Sequence, residues 1–284
     1  MRRREFAALP AAALARQAPL PLGFSLYGMK GVPWRDALAV CARLGYRAVE
    51  VALMPGYAPP AADWKEFAAR AKDLGLANAG VMDNVSLAAS SDQHARNLDR
   101  LRDAIRAARA LGADVVETIL GGKPGEWDAR KEEMAERLGD WAGLFDDSGV
   151  RLAVKAHALQ TVHRPDQLLW LLGQVRNPNL KAAYDFSHFQ AQGLDMETTV
   201  RQLAPHTVFV HIKDVAPEKP VRFLLPGDGS TDYDRLGRLL AAHGYNGAAV
   251  VEVSGQIHNA PGYDPVQAAT RCRDRLCGAL QCRS

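Results

Sequence analysis

The chain has 284 residues, 48% of them hydrophobic and 24% charged. That is enough apolar material for one sizeable core, and no low-complexity run interrupts it. The net charge is +3, and Arg2, Arg3, Arg4 and Glu5 carry +2 of it. The nearly neutral remainder excludes the basic field that a phosphate-backbone binder needs, so no nucleic-acid partner is expected.

The chain starts with Arg3-Arg4-Glu5-Phe6, runs through an alanine-rich stretch and reaches Ala13-Leu14-Ala15 before Arg16. Residues 1–20 therefore read as a twin-arginine leader with an A-x-A cleavage site, which predicts export to the periplasm. The apolar run is short and Pro10 breaks it, so a frayed helix on a cytoplasmic protein is the alternative. No other stretch is long enough to span a membrane, and no membrane insertion is expected.

From Leu22 onward, short apolar runs alternate with longer amphipathic stretches about eight times. The runs are 22–26, 48–52, 77–81, 115–120, 152–156, 181–184, 208–212 and 248–253, each suited to a strand buried on both faces. Helical periodicity covers 34–44, 63–74, 92–111, 131–148, 165–172, 197–203, 233–243 and 265–280. Four of these helices run into Gly45, Gly75, Gly112 or Gly244, residues able to close a helix in the left-handed conformation. Eight strand–helix units predict a single (β/α)₈ TIM barrel over 21–284, and no G-x-G-x-x-G follows the first strand to suggest a dinucleotide fold. Cys272, Cys277 and Cys282 are five apart, a spacing of neither a zinc pair nor a disulfide framework; reduced thiols on a helix are expected.

The chemistry of such a barrel gathers where its strands end. The fifth run ends in Val154-Lys155-Ala156-His157 and the sixth in Tyr184-Asp185-Phe186-Ser187-His188. The seventh ends in Val210-His211-Ile212-Lys213-Asp214 and the eighth in Val251-Glu252-Val253. A lone charge after a buried strand is usually a satisfied structural group, but four on consecutive strands point to a site. Glu50, ending the second run, is either a pocket residue or an ion-paired carboxylate at the rim.

These residues resemble the xylose-isomerase-like sugar isomerase/epimerase superfamily. The likeness lies in the D-x-x-H of Asp185 and His188, the V-H-x-K-D of His211 to Asp214, Leu225-Pro226-Gly227-Asp228-Gly229 with Tyr233, and the V-E-V around Glu252. The resemblance implies one divalent metal (Mn, Mg, Co or Zn) on Asp185, His211 and Glu252, with substrate contacts from His188 and Arg222. His157, two residues past Lys155 and so on the same side of the strand, joins them as a substrate contact. The departure is Lys155, which stands where the family has its first ligand Glu. A protonated lysine offers no lone pair, so either its ammonium enters the cage or it turns aside, onto Glu117, and leaves three ligands.

The resemblance implies a sugar or polyol isomerase/epimerase. Glu252 would be the base beside the carbonyl and Lys155 the second acid/base or the electrophile. The alternatives are a keto-sugar or keto-inositol lyase, which begins with the same deprotonation, and a non-catalytic sugar-binding barrel. A DNA-repair role on the same barrel needs extra histidines where this chain has Glu50 and Asp83. The partner is a small sugar or polyol, and association of like chains stays open.

Overall fold

The computed structural model describes residues 19–283. Of the expected leader it therefore covers only Pro19 and Leu20, and the twin-arginine and cleavage motifs lie outside the described residues.

Among the described residues, the eight apolar runs form eight parallel strands. They are β1 (Leu22–Ser25), β2 (Ala48–Ala52), β3 (Ala77–Met82), β4 (Val115–Ile119), β5 (Arg151–Lys155), β6 (Leu180–Asp185), β7 (Thr207–Ile212) and, after a two-stranded hairpin, β10 (Ala249–Val251). They close in the order β1-β10-β7-β6-β5-β4-β3-β2, a (β/α)₈ barrel. The hairpin, β8 (Asp214–Val215) and β9 (Phe223–Leu224), is antiparallel and stands on the rim after β7.

The helices are α1 (Trp34–Arg43), α2 (Trp64–Asp73), α3 (Ser91–Leu111), α4 (Trp127–Gly143), α5 (Pro165–Val175), α6 (Phe186–Gln190), α7 (Met196–Leu203), α8 (Tyr233–Ala242), α9 (Gly255–His258) and α10 (Pro265–Leu276). Helix α3 shows why they start and stop where they do. Ser90 caps it by accepting from the Gln93 N–H, and Gly112 closes it at φ 76, a backbone conformation that a Cβ disfavours. The expected helix over 131–148 sits four residues earlier at its start and ends at Gly143. The short α6 and α9 carry too little periodicity to be read from sequence.

One expectation is corrected at the C-terminus. Helix α10 stops at Leu276, not Leu280, and the chain turns back so that Cys277 and Cys282 form a disulfide with Cα atoms 5.6 Å apart. A continued helix would have carried the two cysteines apart; the turn brings them together. Cys41 and Cys272 are free and buried, as expected. The tail then ties the barrel floor: Gln281 N–H donates to Leu20 O (2.9 Å), and Arg283 N–H to Gly45 O (2.8 Å).

The barrel interior is filled by a plug of Val115, Ala153, Ala183, Phe209 and Val250, all almost fully buried. Gly80 makes room for it, since a Cβ there would lie 2.8 Å from Phe209 Cε2. Below the plug, at the N-terminal end of the strands, a cavity of about 620 Å³ is lined by Arg47, Asn78, Asp114, Arg151, Tyr245 and Arg283 among others. It has no convergent acid and base, and the plug separates it from the other rim.

Candidate active site

Side chains alternate along a strand, so the residue two places beyond each plug residue also points inward, one level nearer the C-terminal mouth. Those residues are Glu117, Lys155, Asp185, His211 and Glu252. Glu50 joins them from β2. The result is a charged layer seated directly on the apolar plug, and Phe209 meets the His211 ring edge to face at 4.9 Å.

Lys155 lies at its centre. Its Nζ is 2.8 Å from His211 Nδ1, 3.0 Å from Glu252 Oε2 and 3.2 Å from Glu117 Oε1. The two orientations left open by the sequence are thus combined in one. The ammonium enters the cage and also faces Glu117, while a second cation, Lys213, bridges Asp185 Oδ2 and Glu252 Oε2, the latter at 2.7 Å. His211 Nε2 lies 2.9 Å from Glu50 Oε2. Asp185 is aimed by its second oxygen, which accepts from Ser187 Oγ at 2.7 Å and the Ser187 N–H at 3.1 Å as it caps α6. Asp214 points the opposite way along the strand. It accepts from the N–H groups of Gly227, Gly229 and Thr231 and so holds the Leu225–Gly229 loop under the hairpin.

Burial and pairing set the protonation states. Burial works against the Lys155 ammonium, but Glu117, Glu252 and Asp185 outweigh it and hold its pKa above the ordinary value. A role that needs neutral Lys155 as a base is thereby disfavoured. Burial likewise opposes the Glu252 carboxylate, yet Lys155, Lys213 and His211 prevail and keep it ionised far below the usual carboxylate range. Glu117, buried first of all and only partly compensated by Lys155 and His211, is pushed up. His211 is raised despite its burial because Glu50 and Glu252 face it. Within the layer Glu252 has the largest opening to solvent, its side chain 12% exposed.

Above the layer, His157 and His188 stack at 3.9 Å with Phe223 edge-on to both. Burial, then Lys213 and Lys155, lower the His157 pKa to about 3. Burial, then His157, drive His188 well below its ordinary value. Both imidazoles are neutral at pH 7. His157 Nδ1 accepts the Leu159 N–H at 3.2 Å, which leaves the proton on Nε2 as a donor. The facing wall is Tyr27, Tyr57 and His258. His258 Nδ1 meets Val253 O at 3.0 Å, so its Nε2 accepts the Tyr57 hydroxyl at 3.0 Å. Burial and the neighbouring Tyr57 and Glu252 raise the Tyr27 hydroxyl to about 12.

Of the sequence candidates, Lys155, Asp185, His211, Glu252 and Glu50 meet in the layer, and His157 and His188 stand directly above it. Arg222 does not join them. It sits on the far side of the rim hairpin with its side chain 63% exposed, its guanidinium 3.9 Å from Glu218; the hairpin turns the residue outward to solvent. Asp83 is engaged by Arg100, whose Nε lies 3.1 Å away. Sequence reading gave no role to Tyr27, Tyr57, His258 or Phe223, which come from loops and elements too short to leave a periodic signal, and undervalued Lys213. Its signal was the strand alternation itself: His211 and Lys213 are two apart and face the same way.

The chain belongs to the xylose isomerase-like TIM barrel family, whose pattern matches residues 38–272. Inosose dehydratase of Geobacillus kaustophilus (strain HTA426) is 25% identical over 273 residues, covering 85% of this chain and 86% of that protein. Inosose dehydratase of Yersinia enterocolitica serotype O:8 is 24% identical over 195 residues, 56% of this chain; the chain spans 64% of the length of that relative. The crystal structure of the IOLI protein with a bound zinc atom superposes at TM-score 0.73 and 18% identity, covering 92% of this chain and all of that one. At that identity the likeness is one of fold.

Among the described residues, two sets bring ligand atoms within 4.8 Å of one another: Glu50, Glu117 and His211, and Asp185, His211 and Glu252. Neither set is free to close on a divalent cation. Lys155 Nζ faces one atom each of Glu117, Glu252 and His211, and Lys213 Nζ is bonded to Asp185 and Glu252. A dication about 4 Å from one ammonium is repelled by roughly 8 kcal/mol at an effective dielectric of 20. The donor set as it stands does not fit a divalent metal.

Proposed function

We propose that the chain is a lyase that removes water from a keto-polyol of the inosose type, by proton abstraction beside the carbonyl. The observation that carries this reading is the meeting of two ammonium groups, Lys155 and Lys213, on one carboxylate oxygen of Glu252 at the barrel mouth. Glu252 takes the proton from the carbon next to the carbonyl, and the electron pair moves to the carbonyl oxygen. As charge grows on that oxygen, the ammonium groups shift their hydrogen bonds to it, which releases Glu252 from their hold and raises its basicity as the proton arrives. The enolate then expels the hydroxyl from the next carbon, and Glu252 hands its proton to the departing oxygen. One C–H and one C–O bond break, a C=C bond forms, water leaves, and Glu252 is restored.

The neutral His157 Nε2–H supports this reading as a donor to a substrate hydroxyl or carbonyl, and His188 stacks behind it. The wall of Tyr27, Tyr57 and His258 offers an apolar face with hydroxyl edges, suited to a polyol ring. The isomerase expected from the resemblance shares the first step. The curated dehydratases to which the chain is similar favour elimination over return of the proton. A binding barrel without activity would not need a base and an electrophile poised on the same atom.

The test is incubation with an inosose in D₂O. Loss of water is expected together with deuterium at the carbon that lost its hydroxyl, taken up from solvent as the enol product ketonises, both abolished in Glu252→Gln. Exchange without water loss would convert the assignment to an isomerase; neither signal with any keto-polyol would sink both. The Cys277–Cys282 bridge further supports an oxidising compartment, in keeping with export. No helix among the described residues is long and apolar enough to cross a membrane.

A further inference from the structure

We infer that Lys155 is a built-in replacement for a divalent cation, so that this barrel works without a metal at its mouth. Three features carry the inference. The Lys155 Nζ occupies the point shared by His211 Nδ1, Glu252 Oε2 and Glu117 Oε1, at 2.8, 3.0 and 3.2 Å. Glu117 is fully buried and neither of its oxygens has a hydrogen-bond partner among the described residues, so the ammonium facing Oε1 is the counter-charge its placement requires. Lys155 and Lys213 together supply +2, the charge of one divalent ion, divided over two points that still converge on Glu252 Oε2.

The division has a chemical consequence. An ammonium cannot take a lone pair, so it polarises a carbonyl by hydrogen bonding and charge alone. Unlike an ion, it is fixed to the chain, cannot be removed by a chelator and needs no ligand exchange when substrate enters. Lys155 lies under the opening at Glu252, where a substrate oxygen can receive one of its three N–H groups. Lys213, one level higher and just past the end of β7, reaches Glu252 Oε2 from the side.

The inference rests on the charged layer being the reacting site proposed above. Metal uptake is read without turnover, so the failure of either idea is distinguishable from the failure of the other. The experiment compares wild type, Lys155→Glu and Lys155→Gln, each expressed with added Mn²⁺ or Zn²⁺, checked for folding by circular dichroism and analysed for bound metal. Wild type is expected to hold below about 0.1 equivalents and to show no rise in Tm with 1 mM of either ion. Lys155→Glu removes the cation and supplies a further carboxylate; it is expected to take up about one equivalent and to gain several degrees of Tm with metal. Lys155→Gln, which removes the charge without adding a ligand, should bind at least about tenfold more weakly than Lys155→Glu.

About one equivalent in wild type, removed by EDTA with a fall in Tm, would overturn the inference. So would a folded Lys155→Glu that gains no uptake, since Lys155 would then not be what keeps the ion out. Should Lys155→Glu not fold, the wild-type measurement decides alone: stoichiometric metal refutes the replacement and its absence after metal-supplemented growth upholds it.

Discussion

Two layers inside the same barrel, built by the same strands, follow opposite rules. The lower holds Val115, Ala153, Ala183, Phe209 and Val250; the upper, two residues on, holds Glu117, Lys155, Asp185, His211 and Glu252. They are separated by about 7 Å along each strand. Filling space is the whole task of the lower layer, so its energy is set by volume and by apolar area removed from water. In the upper layer each charge is expensive unless answered, and the answers come from neighbouring strands. The comparison shows how a barrel separates stability from chemistry: the plug is the floor on which the charged residues stand, and it excludes water from beneath them.

The sharpest way to break the comparison is to alter one residue in each layer. Glu252→Gln keeps the shape of the side chain and removes the base. It should lower kcat/KM by about 10³- to 10⁴-fold, roughly 4–5 kcal/mol in barrier height. A loss under tenfold would remove Glu252 from the reaction. Phe209→Ala should act the other way round, costing about 3 kcal/mol of stability as a cavity opens in the plug. Urea denaturation reads that loss. The folded fraction should turn over nearly as before, unless the edge-to-face contact of Phe209 with His211 also positions the imidazole. In that case kcat falls together with stability, and the two layers are less independent than their chemistry suggests.

The eight strands could be read from sequence because parallel strands buried on both faces leave continuous apolar runs, and the plug and charged layers appear at the ends of those runs as a change of residue type. Asp185, His211 and Glu252 were legible for that reason, and Lys155 was legible as an exception to a pattern. The aromatic wall was not. Tyr27, Tyr57 and His258 come from three short segments far apart in sequence, too brief to show a period, and only closure of the barrel brings the Tyr57 hydroxyl to His258. Arg222 is the converse case. Resemblance carried its position, but the hairpin of β8 and β9 decides which way that position faces. The disulfide was missed because its geometry depends on where α10 stops, and Leu276 and Cys277 give no strong stop signal.

A pH series sharpens the account of the residues above the charged layer. Burial, reinforced by Lys213 and Lys155, holds His157 at a pKa of about 3, against an ordinary 6.5. The folded state therefore keeps this imidazole neutral while the unfolded chain takes up a proton. The corresponding stability is fully present above pH 6.5 and is lost as pH falls toward 3, by up to about 1.4 kcal/mol per pH unit. His188, also driven down, adds to the loss. Glu117, raised by burial, acts against it, since there the folded state binds the proton more tightly than the unfolded chain. Comparing wild type with His157→Gln isolates one group from this background. The variant should lose stability less steeply between pH 6.5 and 4.5, as read from urea midpoints; parallel curves would mean that the wild-type imidazole protonates in place.

The smallest effect belongs to Arg222→Ala, and it separates position in a motif from position in space. If Arg222 contacts substrate, as the resemblance implies, its loss should raise KM by removing a charged donor from a polar ligand, a change of about tenfold or more. The geometry predicts otherwise. The guanidinium faces solvent on the rim hairpin, 3.9 Å from Glu218, an exposed pair of little energetic weight. Stability should stay within about 0.5 kcal/mol of wild type and KM should not move measurably. The one route by which Arg222 could still matter is the hairpin itself, because its backbone carbonyl accepts the Ala216 N–H at 2.8 Å. Alanine preserves that bond, so a large rise in KM would mean that the hairpin folds inward over bound substrate and carries the arginine with it.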